Sequence, residues 1–430
     1  MFWKKEKKSE DQRIKSIASS HTVKTTKLPL SFLKRLIPIS HLADNELQQL
    51  KVTLSEYKPG EIIFKSGETS NTLCYIVKGQ CYIETNNGSG YEIDSSSFKA
   101  YYPLSSDSKH QYTAIAKSDV KIIHFPHNVL QRDHTNSRNA LLNDEDIPEN
   151  LRDNLFFKKF CTCYKQDELV IPILPDVALK LRTAVQKDIG ILEAVKIVNL
   201  DPVISSKLIR IVNSPLYRTV NPITTCHDAI SRLGLITTRN LITSISMQNL
   251  FRSKNKDLNN RIHQIWKQSI RVSSISHTLA SLCKNANPDE ALLAGLTHNI
   301  GSLPIIIFAD SLNSEKYSST DLSLTINTLQ GVLGNIILKK WGFPDLLAQV
   351  PRQSENWYHS NGEKLDLSDI VLLAKFHSYL GSKQMQNLPP LHTLPAFKKL
   401  GDNTLTPDMS LLVLHNAKQQ ISDAISLFGT

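Results

Sequence analysis

The chain has 430 residues, 40% of them hydrophobic and 21% charged, the balance of an ordinary globular protein with room for two or three cored domains. No window approaches the roughly 18 consecutive apolar residues of a membrane-spanning helix. The net charge of +10 is concentrated, because residues 1–40 carry ten Lys/Arg against three Asp/Glu and leave only +3 for the other 390; a nucleic-acid-binding face on the globular part is therefore not expected.

Residues 1–35 read as a basic, disordered tail. Phe2 and Trp3 beside Lys4, Lys5, Lys7 and Lys8 suit weak contact with an acidic membrane surface. The start lacks the apolar core of a secretory signal, so a cytoplasmic location is expected. Cys74, Cys81, Cys161, Cys163, Cys226 and Cys283 show no CxxC or zinc-finger spacing and are expected to be reduced thiols.

Residues 36–135 form the first predicted domain. Leu42, Leu47, Leu50 and Leu54 recur at helical spacing over 40–55, opened by a Ser40 or Asp44 cap. The period then shortens: β-branched and aromatic runs are cut by Pro59–Gly60, Gly67 and Gly79, and further strand-like runs follow at 91–94 and 112–125. This pattern, with Tyr57, Gly60-Glu61, Ile63, Gly67 and Tyr75-Ile76-Val77 before Gly79, resembles the cyclic-nucleotide-binding domain family, which implies an antiparallel β-barrel of the jelly-roll kind. In that family a Gly-Glu pair opens a short helix that holds the cyclic phosphate, and an Arg about a dozen residues on neutralises it. Here Phe98-Lys99-Ala100 stands where Phe-Gly-Glu is expected, and His110 falls at the Arg position. Lys99, Ala100 and His110 thus mark a vestigial nucleotide site, and the resemblance implies a retained fold with a lost ligand.

Residues 136–168 read as a connector, in which NLFFKKF starts an apolar helix. From 169 to 385 the periodicity is helical. Pro172 and Pro175 punctuate the start, Asp201–Pro202 is a cap followed by a proline in the first turn, Ile204, Leu208 and Ile211 form a stripe, and His227–Gly234 reads as a short helix ended by its glycine. The order of Pro175, Asp201-Pro202, Asn213-Ser214, Ala229-Ile230 with Leu233-Gly234, Trp266, Gly295, His298-Asn299-Ile300-Gly301 and Trp341-Gly342-Phe343-Pro344 resembles the HDOD domain. HDOD domains are related to HD-type phosphohydrolases, which hold a metal with a His, a His-Asp pair and a late Asp. Mapped onto this chain, those positions hold Gln268, His298-Asn299 and, near Ala374–Lys375, Lys375. One imidazole does not hold a divalent ion against water, and His263, His277 and His377 read as ordinary surface or interhelical histidines.

Residues 386–430 read as a helical extension, with Leu411, Leu414, Ile421, Ile425 and Phe428 on one face after Thr406–Pro407. The expectation for the whole is a multidomain α+β protein, a barrel followed by an all-α HDOD domain. It needs no cofactor and regulates bacterial signal transduction through contacts with unidentified protein partners, as a monomer or an oligomer. The alternatives are an HD-type metal-dependent phosphohydrolase or phosphodiesterase, and a cyclic-nucleotide-responsive regulator.

Overall fold

A computed structural model describes residues 24–26, 28–42, 44–84, 90–106, 108–127, 151, 153–214, 217, 221–253, 255–283, 286–312 and 317–400, with isolated positions beyond. The basic tail before residue 24, residues 136–150 and 152 of the connector, Pro215 and the helix expected after Pro407 lie outside the described residues. The chain divides into two compact units, residues 1–137 with 383–394 and residues 138–382 with 395–430.

The first unit holds two four-stranded antiparallel sheets. One runs β1 (Lys24–Thr26), β2 (Val52–Tyr57), β8 (Val120–Pro126), β4 (Thr72–Lys78); the other runs β3 (Ile62–Phe64), β7 (Thr113–Ala116), β5 (Gln80–Glu84), β6 (Gly90–Asp94). The period-2 alternation of the strands separates two cores. Cys74 and Ile76 of β4 and Ile122 of β8 point between the sheets to Tyr57, Ile83 and Ile93. Leu73, Tyr75, Ile123 and Phe125 point the other way, onto Leu33, Leu36 and Leu47 of α1 (Leu30–Leu33), the segment after it and α2 (Asp44–Gln49). Gly79 joins β4 to β5 at φ 87°, a conformation open to glycine at no steric cost.

The helix expected over 40–55 is shorter than its leucine spacing suggests. It ends at Gln49, and Val52–Tyr57 is a strand with Leu54 paired to Ile123. Val52 and Thr53 are β-branched, and the ladder to β8 overrides the helical period.

In the second unit, Asn154 caps α3 (Leu155–Lys165) by accepting from Phe157 N at 2.9 Å, and the helix buries Phe156, Phe157 and Phe160. Next come α4 (Asp176–Val185), α5 (Ile191–Val198) and α6 (Pro202–Val212); Asp201 caps α6 through the amides of Val203 and Ile204. The short helix predicted to stop at Gly234 does stop there, at the non-helical φ 76° and ψ 167°; a second helix follows directly, and the two are taken together as α7 (Cys226–Met247). The glycine interrupts the hydrogen-bond ladder, yet buried Leu241, Ile242 and Ile245 return the chain to a helix.

The centre of this unit is α8 (Lys256–Cys283), α9 (Pro288–Thr297) and α14 (Leu367–Tyr379), which pack on one another. Around them lie α10 (Ser302–Ser311), α11 (Ser319–Lys340), α12 (Asp345–Ala348), α13 (Val350–Gln353) and α15 (Pro395–Lys398). Small residues set the close approaches: Gly295 of α9 lies against the backbone of Ser273, and Gly301 against that of Gln330 and Gly334. Buried Ser273, Ser274 and Thr278 satisfy their hydroxyls on α8's own carbonyls. Residues 288–311 are long and apolar enough to cross a membrane, with mean hydropathy 1.6, but 83% of the most apolar stretch is buried inside the protein; that burial is what a core helix pair requires.

Candidate functional site

The positions that the sequence assigns to a lost metal site converge where α8, α9 and α14 meet. His298, at the end of α9, is fully buried. Its Nδ1 lies 2.6 Å from Gly295 O. A carbonyl only accepts, so Nδ1 carries the proton and Nε2 the lone pair; Nε2 is buried with no hydrogen-bond partner. Burial first, and then the Lys375 ammonium, lowers the His298 pKa to about 4, against opposing influences from the Gly295 bond and Glu355. The imidazole is therefore neutral at physiological pH.

Lys375, on α14, extends Nζ to Glu355 Oε1 at 2.7 Å and to Ser354 O at 3.4 Å, with both partners of the ion pair largely buried. Its ammonium also lies 5.8 Å from the centre of the Trp357 ring. Glu355 receives a further bond from Gln330 Nε2 at 3.3 Å. Gln268, on α8, spends its amide on Ser378 Oγ at 2.7 Å, and Ser378 donates to Lys375 O at 2.6 Å. Asn299 is buried next to His298.

This donor set does not fit a divalent cation. It offers one neutral imidazole nitrogen and a single carboxylate that is already paired. The local charge is a lysine ammonium, which repels a metal ion. Among the described residues no three His, Cys, Asp or Glu side chains are grouped so as to hold one. His377 is fully buried and gives Nδ1 to Leu373 O at 2.7 Å. His277 is largely buried, its Nδ1 without a partner.

The other positions that carried the HDOD resemblance hold the scaffold. Trp341 Nε1 donates to Pro172 O at 3.0 Å, and the Arg182 guanidinium bonds Gly342 O while stacking 3.8 Å from the Phe343 ring. Pro344 precedes the first residue of α12, and Pro175 stands in the same place before α4. Asn213 ties the end of α6 to the chain leading into α7, giving Nδ2 to Ile209 O and Ile223 O and accepting from Ile223 N. Ser214 closes the same turn on Ile211 O. Trp266 stacks with Phe251 at 4.6 Å, and Leu233 precedes the bend at Gly234. Sequence reasoning missed Arg182, Glu355 and Ser378. Arg182 had a signal, a cation on the buried side of the apolar run VALKLRTAV between Leu181 and Val185; Glu355 lies in a loop and had none.

In the first unit the positions that the sequence assigns to a nucleotide site, Lys99, Ala100 and His110, make packing contacts. Phe98–Tyr101 is a short 3-10 turn. Ala100 is buried in the inter-sheet core, and Lys99 Nζ lies over the Tyr91 ring at 5.2 Å. His110 is buried, stacks on Phe64 at 4.0 Å and bonds Ser105 Oγ at 2.8 Å. No arginine lies among these positions.

Comparison with known proteins agrees with this division. The HDOD domain model matches residues 171–357 and the cyclic nucleotide-binding domain model matches residues 54–132. A structure from Shewanella amazonensis SB2B named "Putative metal-dependent phosphohydrolase" is 26% identical, with a TM-score of 0.54, covering 62% of this chain and 97% of its own. Another from Marinobacter aquaeolei VT8, named "Putative signal transduction protein", is 16% identical with a TM-score of 0.45, covering 74% of this chain and 75% of its own. An uncharacterized protein of Treponema pallidum (strain Nichols) is 23% identical over 264 residues, 57% of this chain. The chain spans about half the length of that curated relative, 48%. The protein joins a cyclic nucleotide-binding domain, residues 54–132, to an HDOD domain, residues 171–357.

Proposed function

We propose that this protein is a non-catalytic regulator of bacterial signal transduction, cytoplasmic, working through protein contacts made by its HDOD domain. The observation that carries the reading is the Lys375 ammonium, paired with Glu355 against a neutral, buried His298. An HD-type hydrolase needs a metal there to activate water and balance phosphate charge. Leu192 and Leu200 on and after α5 and Val203 on α6 are more than half exposed, which supports a role for the helical surface in contacts.

The test has two arms. Protein purified with manganese and magnesium present is expected to retain no stoichiometric metal by elemental analysis and to leave bis(p-nitrophenyl) phosphate uncleaved. In a deletion strain, His298→Ala protein of normal abundance is expected to restore the signalling phenotype, and chains lacking residues 171–380 to fail. Retained metal, with turnover that His298→Ala abolishes, would establish the competing reading, a metal-dependent phosphohydrolase. That reading draws on the name of the Shewanella protein, which is similar to this one over 62% of the chain.

A further inference from the structure

Residues Lys383–Leu394 are far along the chain from the strands, yet they belong to the first unit. The sequence groups residues 386–394 with the C-terminal helical extension; they form two 3-10 turns, Lys383–Asn387 and Leu391–Thr393, docked on the barrel. Their contacts fall beside the vestigial nucleotide positions. Tyr102, just after the Phe98–Tyr101 turn, donates Oη to Asn387 O at 2.9 Å, and Ser106 donates Oγ to Thr393 O at 2.6 Å. Tyr91 Oη lies 3.1 Å and 3.2 Å from the two ring nitrogens of His392, and the Tyr112 ring meets the same imidazole edge-on at 4.4 Å. Leu388, Thr393 and Leu394 are buried.

This is the chemistry of peptide recognition. Two side-chain hydroxyls read main-chain carbonyls, which any peptide offers and a cyclic phosphate does not. The Tyr91 and Tyr112 rings meet His392 of the segment Leu388-Pro389-Pro390-Leu391-His392, whose Pro390 has φ −59° and ψ 124°, close to the polyproline conformation that aromatic-lined grooves favour because it is ordered beforehand. We propose that the barrel's former nucleotide cradle is a binding site for a proline-containing peptide, and that residues 387–394 of this chain are its resident ligand. On this account the arginine and glutamate expected of a nucleotide site are unnecessary, since the occupant has no phosphate or ribose. The inference does not depend on whether the helical domain holds a metal.

Hydrogen exchange of the full-length protein tests it. The amides of Leu388, Thr393 and Leu394 bond three residues back, to Met385 O, Pro390 O and Leu391 O, and turns that short do not persist in a free peptide. Their protection therefore reports docking. In the wild type these amides are expected to exchange at least ~10-fold more slowly than in the synthetic peptide 387–394. Tyr102→Phe with Ser106→Ala is expected to erase most of that protection and leave β4 and α8 unchanged. Free-peptide rates in the wild type would overturn the proposal, and so would undiminished protection in a folded double variant. A second measurement avoids the buried serine: in the full chain with Pro389→Gly, Pro390→Gly and His392→Ala, the fluorescein-labelled peptide 387–394 is expected to bind at least ~10-fold more tightly than to wild type. Equal or absent binding to both would overturn the proposal. Fluorescent cyclic AMP binding gained by the variant would also overturn it, because the segment would then mask a working nucleotide site.

Discussion

The two sites that the sequence reads as vestigial differ in how their charge is balanced. In the helical domain the site is buried, and an ammonium from Lys375 with its partner Glu355 stands among the positions where the sequence places metal ligands in related enzymes. In the barrel the positions of the expected arginine and glutamate are taken up by packing: His110 stacks on Phe64 and bonds Ser105, and Tyr91 and Tyr112 lie beside them. Depth does not separate them, since His110 at 4% and Ala100 at 3% exposure are as buried as Lys375 at 8%. A carboxylate left inside a helical core needs a cation, and Lys375 supplies one. A cradle without a carboxylate can pack with rings and hydroxyls alone.

The sharpest way to break this comparison is to strand the ammonium. Glu355→Gln leaves the Lys375 amine largely buried without its carboxylate, and is expected to cost about 3 kcal/mol in urea unfolding, the scale for removing one partner of a buried pair. Glu355→Gln with Lys375→Met together is expected to recover more than half of that loss, since no charge then remains unpaired. A double variant as unstable as the sum of the singles would show that the pair is not the unit that matters.

The next effect is a pH dependence carried by His298. Its pKa is depressed from 6.5 to about 4 in the folded state, so the unfolded chain binds the extra proton first. The stability tied to the neutral ring is fully present above about 6.5 and is lost as pH falls toward 4. Between pH 7 and pH 5 the wild type is expected to lose about 2 kcal/mol more than His298→Asn in matched urea titrations. Taking the difference cancels other titrating groups, among them Asp369, whose pKa burial and Asp366 raise to about 6. Parallel curves for the two proteins would place His298 in a more solvated setting than its burial indicates.

How much of this could be read from the sequence depended on the range of the forces involved. Turn glycines such as Gly79 and caps such as Asp201 act within a few residues, and their residue types announced the barrel and the start of α6. Leu54 obeyed a helical period but was claimed by a ladder to Ile123, about 70 residues away, which no local window contains. Lys375 is legible in the sequence as a cation at a position where a metal site needs a carboxylate, while its partner Glu355 has no pattern to betray it. The docking of 383–394 on the strands was equally hidden, because tyrosine hydroxyls that read main-chain carbonyls impose no spacing on the segment they hold.

A smaller effect separates a packed His110 from a ligand-facing one. The imidazole stacks on Phe64 and bonds Ser105, so His110→Ala is expected to lower stability by about 1–3 kcal/mol, as for other buried side chains with a hydrogen bond. Because truncation of the ring removes packing and a hydrogen bond to a neutral serine, the loss is expected to fall below that of Glu355→Gln. An unchanged urea midpoint would mean that the ring is free to face solvent or a ligand.

The smallest expected effect is none at all. Cyclic AMP and cyclic GMP at millimolar concentration are expected to leave the melting temperature unchanged. A ligand that binds only the folded state stabilises it by about 2.7 kcal/mol at 100 times its dissociation constant, so even weak nucleotide binding would be visible. The expectation rests on what the phosphate would meet. Ala100 offers no acceptor for a ribose hydroxyl and is buried in the core. His110 is occupied by Ser105 and Phe64, and Lys99 is the remaining cation at these positions, lying over the Tyr91 ring. A lysine is a point charge on a flexible stem, without the bidentate fork by which an arginine holds a phosphate. A clear rise in melting temperature with either nucleotide would show that Lys99 suffices. A Lys99→Ala variant that abolished the rise would then identify the barrel, and not the helical domain, as the part of this protein that still senses a charged small molecule.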